Sequence, residues 1–202
     1  MSALASHHSE FNFVGEAPPG DNPASNLRIR SVGQTAPEFF SRDSGRYPDV
    51  DLSRYRLTIA GFVSRTLQLS LNELQLHFAE STGAVDLGPT AENHLGASVW
   101  RGCLLVDVLD FAGVCTQDGY VELIGATSAH PDEQGEAPVG FVSLERLQAH
   151  PVVLAWQADG KRLTAAQGAP VAALVPLETG ARRIRWLHRI NLLVVPPLWV
   201  VR

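Results

Sequence analysis

Residues 180–187 read Gly180-Ala-Arg-Arg-Ile-Arg-Trp-Leu187, and the apolar run Ile184 to Val195 continues from them. Side chains alternate faces along an extended chain, so Arg183 and Arg185 are expected to project to one side and Arg182 to the other. The stretch is therefore predicted to be a closing strand with a basic edge. It needs partner strands upstream.

Those partners are found by period-two patterning. Tyr55-Arg-Leu-Thr-Ile-Ala-Gly61 alternates like a half-buried strand, and Gly61 turns the chain into a second strand, Thr66 to Leu69, so a β-hairpin is expected. Ser70-Leu-Asn-Glu73 has the form of a capping box, with Leu74 and Phe78 at helical spacing behind it. A second helix is expected over Leu104 to Ala112, stopping at Gly113, and a third around Leu144 to Ala149. Tyr120 to Ile124, Val152 to Ala155 and Ala172 to Pro176 read as further strands. Strands and short helices interleave without a βαβ period, which predicts an α+β domain with a mixed, barrel-like β-sheet and short helices.

Residues 1–50 differ from the rest. Pro18, Pro19, Gly20, Asp21, Asn22 and Pro23 resist helix and strand, and Gly33, Pro37, Gly45 and Pro48 keep the next segment irregular, apart from a short alternating run, Asn26 to Arg30. An extended N-terminal arm over 1–50, packing on a domain over 51–202, is the expected organisation. A chain of 202 residues with 45% hydrophobic and 18% charged residues suits one such domain.

Composition excludes several function classes. A net charge of -5 gives no general attraction to nucleic acid or to an anionic membrane, so neither is an expected partner. No stretch approaches the roughly 20 apolar residues of a membrane span, and Met1 to Gly20 lacks the basic and apolar regions of a secretory signal, so a cytoplasmic location is expected. Cys103 and Cys115 are too few and too far apart for a disulfide framework or a paired-cysteine metal site, and are read as partly buried free thiols. There is no phosphate-binding glycine loop, dinucleotide fingerprint, zinc-protease motif or nucleophile elbow. The loop His130 to Glu136 gathers an imidazole and three carboxylates at no defined metal spacing, and is read as solvated; His7 and His8 are read as surface residues of the arm.

From Tyr55 onward the order of motifs resembles the oxidoreductase molybdopterin-binding domain of sulfite oxidases and their bacterial relatives. The resemblance runs through Tyr55 to Gly61, Leu69 to Leu74, Leu95-Gly-Ala-Ser-Val-Trp-Arg-Gly102 with Leu105 to Leu109, Gly168-Ala-Pro170 with Leu174-Val-Pro176, and Gly180 to Leu187. It covers roughly three quarters of the chain and implies that family's fold.

The resemblance also implies a metal held by the two dithiolene sulfurs of a pterin cofactor and one cysteine thiolate, a soft ligand. The corresponding position here is Val85, or Thr90 if Thr90-Ala-Glu-Asn93 is matched instead, and neither is a thiol. Three further family positions, a His, a second His and an Arg, are occupied by Val32, Gln167 and Ala172. What remains is basic: Arg30, Arg183 and Arg185 are the residues expected to contact an anionic cofactor or ligand, because guanidinium groups bind phosphate through charge-assisted hydrogen bonds. A solvated basic edge is the competing reading of the same arginines.

These departures lead to the expectation of a degenerate site in a non-catalytic binding or scaffold protein, with no catalytic residue, no metal and no cofactor. The expected partners are a small anionic ligand or another protein. The alternative is a molybdenum-cofactor-dependent oxidoreductase of the sulfite oxidase or sulfoxide reductase type, in which case molybdopterin would be the cofactor.

Overall fold

The computed structural model describes residues 9–13, 47–48, 50–87, 97–116, 118–126, 139–177 and 180–194. The chain forms β1 (Ser9–Phe13), β2 (Leu57–Gly61), β3 (Leu67–Leu69), α1 (Leu71–His77), β4 (Ser81–Val85), β5 (Ser98–Leu104) and α2 (Leu105–Ala112). It continues through β6 (Tyr120–Gly125), β7 (Val139–Ser143), α3 (Leu144–Ala149), β8 (Val153–Ala158), β9 (Lys161–Arg162), β10 (Ala172–Pro176), β11 (Ala181–Ile184) and β12 (Leu187–Leu193). Two mixed sheets result, with order β1-β4-β5-β8-β10-β11 in the first, where β9 also pairs with β8, and β3-β2-β12-β6-β7 in the second. This is the mixed α+β architecture that the patterning predicts.

The local signals act as expected at several points. The β2–β3 hairpin forms with Leu57 opposite Leu69. Ser70 caps α1: its hydroxyl accepts from the Glu73 N–H at 3.2 Å while the Glu73 carboxylate accepts from the Ser70 N–H at 2.7 Å. The second helix stops at Gly113, whose N–H donates to the carbonyls of Leu109 and Asp110.

The two sheets bury their strands differently. Along β10 all five residues are buried, and β8 is nearly so, because apolar side chains lie on both faces of the first sheet. Leu154, Trp156, Ala173 and Val175 point into a large core shared with β2, β6, β12 and the helices. Val153, Ala155, Ala172 and Leu174 point the other way, into a smaller cluster built around Trp100 with Val85, Leu163 and Ala181. A strand buried on both faces reads as a continuous apolar run rather than an alternation. By contrast β6, in the second sheet, alternates buried and half-buried residues.

Gly102 explains how tightly β5 and β8 meet. A Cβ there would run into the Leu154 carbonyl, and the pairing register shifts between Arg101 and Gly102. Trp100 and Cys103, three residues apart on the strand, serve opposite faces: Trp100 belongs to the small cluster and Cys103 to the large core.

Two segments depart from the reading of the sequence. Ser9–Phe13, inside the stretch expected to resist regular structure, pairs in parallel with β4, Ser9 opposite Ser81 and Phe13 opposite Val85. Its Phe11 and Phe13 alternate ahead of the Pro/Gly-rich run, so the breaking residues do not reach it. The apolar run from Ile184 is not one strand: β11 ends at Ile184, Trp186 takes a left-handed conformation with φ 53°, and β12 begins at Leu187 in the other sheet. The run Asn26 to Arg30, the pair His7 and His8, and the loop from His130 to Glu136 lie outside the described residues.

Candidate functional site

The basic stretch is set beside the small cluster. Arg183 lies opposite Leu174 across the β10–β11 pair, and its guanidinium carbon sits 5.9 Å from the centre of the fully buried Trp100 ring. Arg182 turns elsewhere and donates to the Val139 carbonyl at 3.2 Å. That opposition of Arg182 and Arg183 is the strand alternation expected. Arg185 lies one residue beyond β11, which ends at Ile184.

Arg185 is placed by a turn instead. Residues Thr164 to Gly168 are closed by a reciprocal pair in which the Thr164 N–H donates to Gln167 Oε1 at 2.9 Å and the Gln167 N–H donates to the Thr164 hydroxyl at 3.2 Å. Gly168, at φ 102°, presents bare backbone to Arg185: an added Cβ would meet the Arg185 Cα and Cβ at 2.8 Å. The Arg185 guanidinium lies 4.3 Å from the centre of the Trp186 ring, and its Nη1 makes a long 3.5 Å bond to the Ala166 carbonyl. Trp186 in turn donates its indole N–H to the Ala165 carbonyl at 2.7 Å and its backbone N–H to the Gly168 carbonyl at 3.2 Å. Tyr47 packs near the same ring, centroid to centroid 6.2 Å.

A guanidinium over an indole ring gains a cation–π attraction, and guanidinium N–H groups are the donors that recognise a phosphate or carboxylate. The guanidinium carbons of Arg183 and Arg185 lie over two different tryptophan rings, at 5.9 Å and 4.3 Å from their centres. The arrangement is suited to an anion. Arg30 lies outside the described residues.

The residues at the family's other site positions are apolar or already engaged. Val85 is fully buried beside Trp100 in the small cluster, and Ala172 is buried opposite Ala155. Gln167 is buried, with its amide oxygen closing the turn. Val32 and Thr90 lie outside the described residues. Cys103 is fully buried in the large core; burial first, and then the nearby Asp107 carboxylate, push its thiol well above the ordinary range, so it stays protonated. Cys115 corrects the expectation of a partly buried thiol: it is exposed, 3.4 Å from the Ser64 hydroxyl, because it lies beyond the end of α2. Among the described residues, no group of three His, Cys, Asp or Glu side chains is placed to hold a metal ion, and no helix is long and apolar enough to cross a membrane.

Comparison with known proteins bears on this geometry. Residues 44–197 match the family model of the oxidoreductase molybdopterin binding domain. The chain belongs to this family. It is 27% identical to human mitochondrial sulfite oxidase over 207 aligned residues, covering 91% of this chain and 37% of that protein. Against Gallus gallus sulfite oxidase the identity is 31% over 175 residues, 75% of this chain and 38% of the relative. Nitrate reductase [NADH] 2 of Arabidopsis thaliana is 23% identical, with 83% of this chain and 21% of the relative covered. The chain thus spans well under half the length of these three relatives. Its fold is shared with the sulfane dehydrogenase SoxCD of Paracoccus pantotrophus, at a TM-score of 0.55 and 20% identity over 73% of this chain and 40% of that one.

The family match overturns one expectation. The substitutions at Val85, Gln167 and Ala172 suggested a protein with no cofactor, yet the chain lies within a family defined by molybdopterin binding. The physical error was to weigh the metal ligand as though it carried the whole affinity. An anionic cofactor is also held by charge-assisted hydrogen bonds to its phosphate, at residues remote from the metal. Arg183 and Arg185 carry the guanidinium groups that this chemistry uses, whereas Val85 has no donor atom for a metal.

The sequence reading missed the turn from Thr164 to Gly168 and the indole of Trp186 as the mount for Arg185. Gly168-Ala-Pro170 was visible as a motif, but nothing local to it says that a residue 17 positions later would press against the glycine.

Proposed function

We propose that this chain is a molybdopterin-binding-family domain that has kept the anion-binding half of its site and acts as a non-catalytic binding or scaffold protein. Arg183 and Arg185 would hold the terminal phosphate of the cofactor, or a small anion of the same chemistry. When bound, the cofactor supplies the redox centre of the family's oxidoreductases. This chain's own contribution is to bind and orient: Arg183 from β11 over Trp100, and Arg185 from the turn over Trp186.

The observation that carries the reading is Val85, the one of the two matched positions, Val85 and Thr90, that lies among the described residues. Its isopropyl group is enclosed by Trp100 and its apolar neighbours, so the position has neither the soft donor nor the polar surroundings that a metal ligand requires. Cys103 offers no substitute, since its thiol faces the opposite core and stays protonated.

The test uses protein purified from a host that makes the cofactor. The pterin, quantified by the fluorescence of its oxidised form, should be present in the wild type and much reduced in the Arg183→Ala/Arg185→Ala double variant. Neither sulfite oxidation nor sulfoxide reduction should exceed that of the double variant. Turnover of either substrate by the wild type would establish the alternative, a cofactor-dependent oxidoreductase that manages without a thiolate at Val85. Val85→Cys alone should not confer activity, since Gln167 and Ala172 remain.

A further inference from the structure

We infer that Trp186 is a positioning residue that sets the Arg185 guanidinium for anion binding; the inference rests on the anion-site reading above. The first observation is conformational. A bulky L-residue at φ 53° is unfavourable and persists only where surrounding contacts over-determine it. For Trp186 two of those contacts run to the same short turn: its backbone N–H reaches the Gly168 carbonyl and its indole N–H reaches the Ala165 carbonyl.

The second observation is what lies between these anchors. Arg185 is pressed by its Cα and Cβ against bare Gly168, bonded through Nη1 to the Ala166 carbonyl, and set with its guanidinium carbon 4.3 Å from the centre of the Trp186 ring. Turn, arginine and indole thus form one closed unit. A tryptophan needed only for packing would be served by extended backbone and would not need both anchors to this turn. Held between this turn and the ring that Trp186 anchors to it, the otherwise long and mobile Arg185 side chain is fixed in one orientation. Fixing it in advance lowers the ordering cost of binding an anion.

Inorganic phosphate is the probe, titrated against chloride at matched ionic strength, with binding followed by calorimetry on wild type, Arg185→Ala, Trp186→Phe and the double variant. Trp186→Phe keeps an aromatic ring and removes the indole N–H that anchors it to Ala165. It should weaken phosphate binding by about tenfold, the scale of one charge-assisted hydrogen bond lost or misdirected. In the Arg185→Ala background the same change should weaken binding no further, because the residue acts through Arg185. Equal weakening in both backgrounds, or none in either, would overturn the positioning role. If instead the wild type shows no phosphate-specific binding, or Arg185→Ala binds as wild type does, the anion site itself fails.

A measurement on the unmutated chain guards against loss of fold in the variant. In a nitrogen-resolved NMR titration the Arg185 Nε–H and the Trp186 indole N–H should shift with one phosphate midpoint. An indole resonance that stays in place while Arg185 titrates would equally overturn the proposal.

Discussion

The two faces of β5 differ in what they ask of their residues. On one, Cys103 enters the large core between the sheets, where apolar groups from β2, β6, β12 and the helices surround it. On the other, Trp100 shares a small cluster with Val85, Val153, Leu163, Leu174 and several alanines, and has Arg183 over its ring. Both faces are buried, and the second has a guanidinium over its central ring. The difference teaches that Val85, one of the two positions matched to the metal ligand, is part of a working core, and that Arg183 lies over the tryptophan of that same core.

The largest test of that contrast is Trp100→Ala. If the small cluster is a true core, the change should cost roughly 3–5 kcal/mol in urea unfolding, as for other buried large aromatics. It should also weaken phosphate binding, since Arg183 loses the ring beneath it. A cost under about 1 kcal/mol would mean that the cluster contributes little and that the comparison between faces is empty.

Cys103→Ser sharpens the other side. A hydroxyl in the large core, without a designed partner, should cost roughly 1–3 kcal/mol, whereas Cys115→Ser at the exposed position should stay within about 0.5 kcal/mol. Thiol labelling gives the same contrast without mutation: Cys115 should react in the folded protein and Cys103 only on unfolding. Rapid native labelling of Cys103 would show that its face is not closed.

The smallest effect lies away from both faces. Ser70→Ala should cost about 1 kcal/mol by removing the cap of α1. Hydrogen bonds from the Ser70 hydroxyl and then its backbone N–H hold the Glu73 carboxyl below its ordinary 4.5. Its folded-state pKa is therefore the lower of the two, so its contribution is present above about pH 4.5 and is lost as the pH falls through the folded value. Glu73→Gln should remove that acid-side loss and leave both clusters unchanged; an unaltered acid limb would assign the loss to other carboxylates.

Much of the fold was legible because its signals are local. The capping box of Ser70 and Glu73, the β2–β3 hairpin and the span of α2 are each written within a dozen residues. Strand β4 was not, since Ser81-Thr-Gly-Ala-Val85 has little β-forming character and becomes a strand by pairing with β5 on one side and β1 on the other. The break at Trp186 was illegible for the same reason. No glycine marks it, and the carbonyls that stabilise it belong to Ala165 and Gly168. At the site, the arginine cluster could be read directly from residue type, while the mounting of Arg185 depended on a contact between distant segments.

Strand β12 carries one further consequence. It lies in the middle of its sheet, parallel to β2 on one side and antiparallel to β6 on the other. During synthesis the hairpin of β2 and β3 and the pair of β6 and β7 are therefore made long before the strand that joins them. Until residues 187–193 leave the ribosome, both pairs present an open hydrogen-bonding edge and an uncovered apolar face, the features that invite association between nascent chains. The domain should thus depend on protection late in translation, and truncation before Leu187 should yield two separate, aggregation-prone halves of a sheet rather than a smaller folded protein.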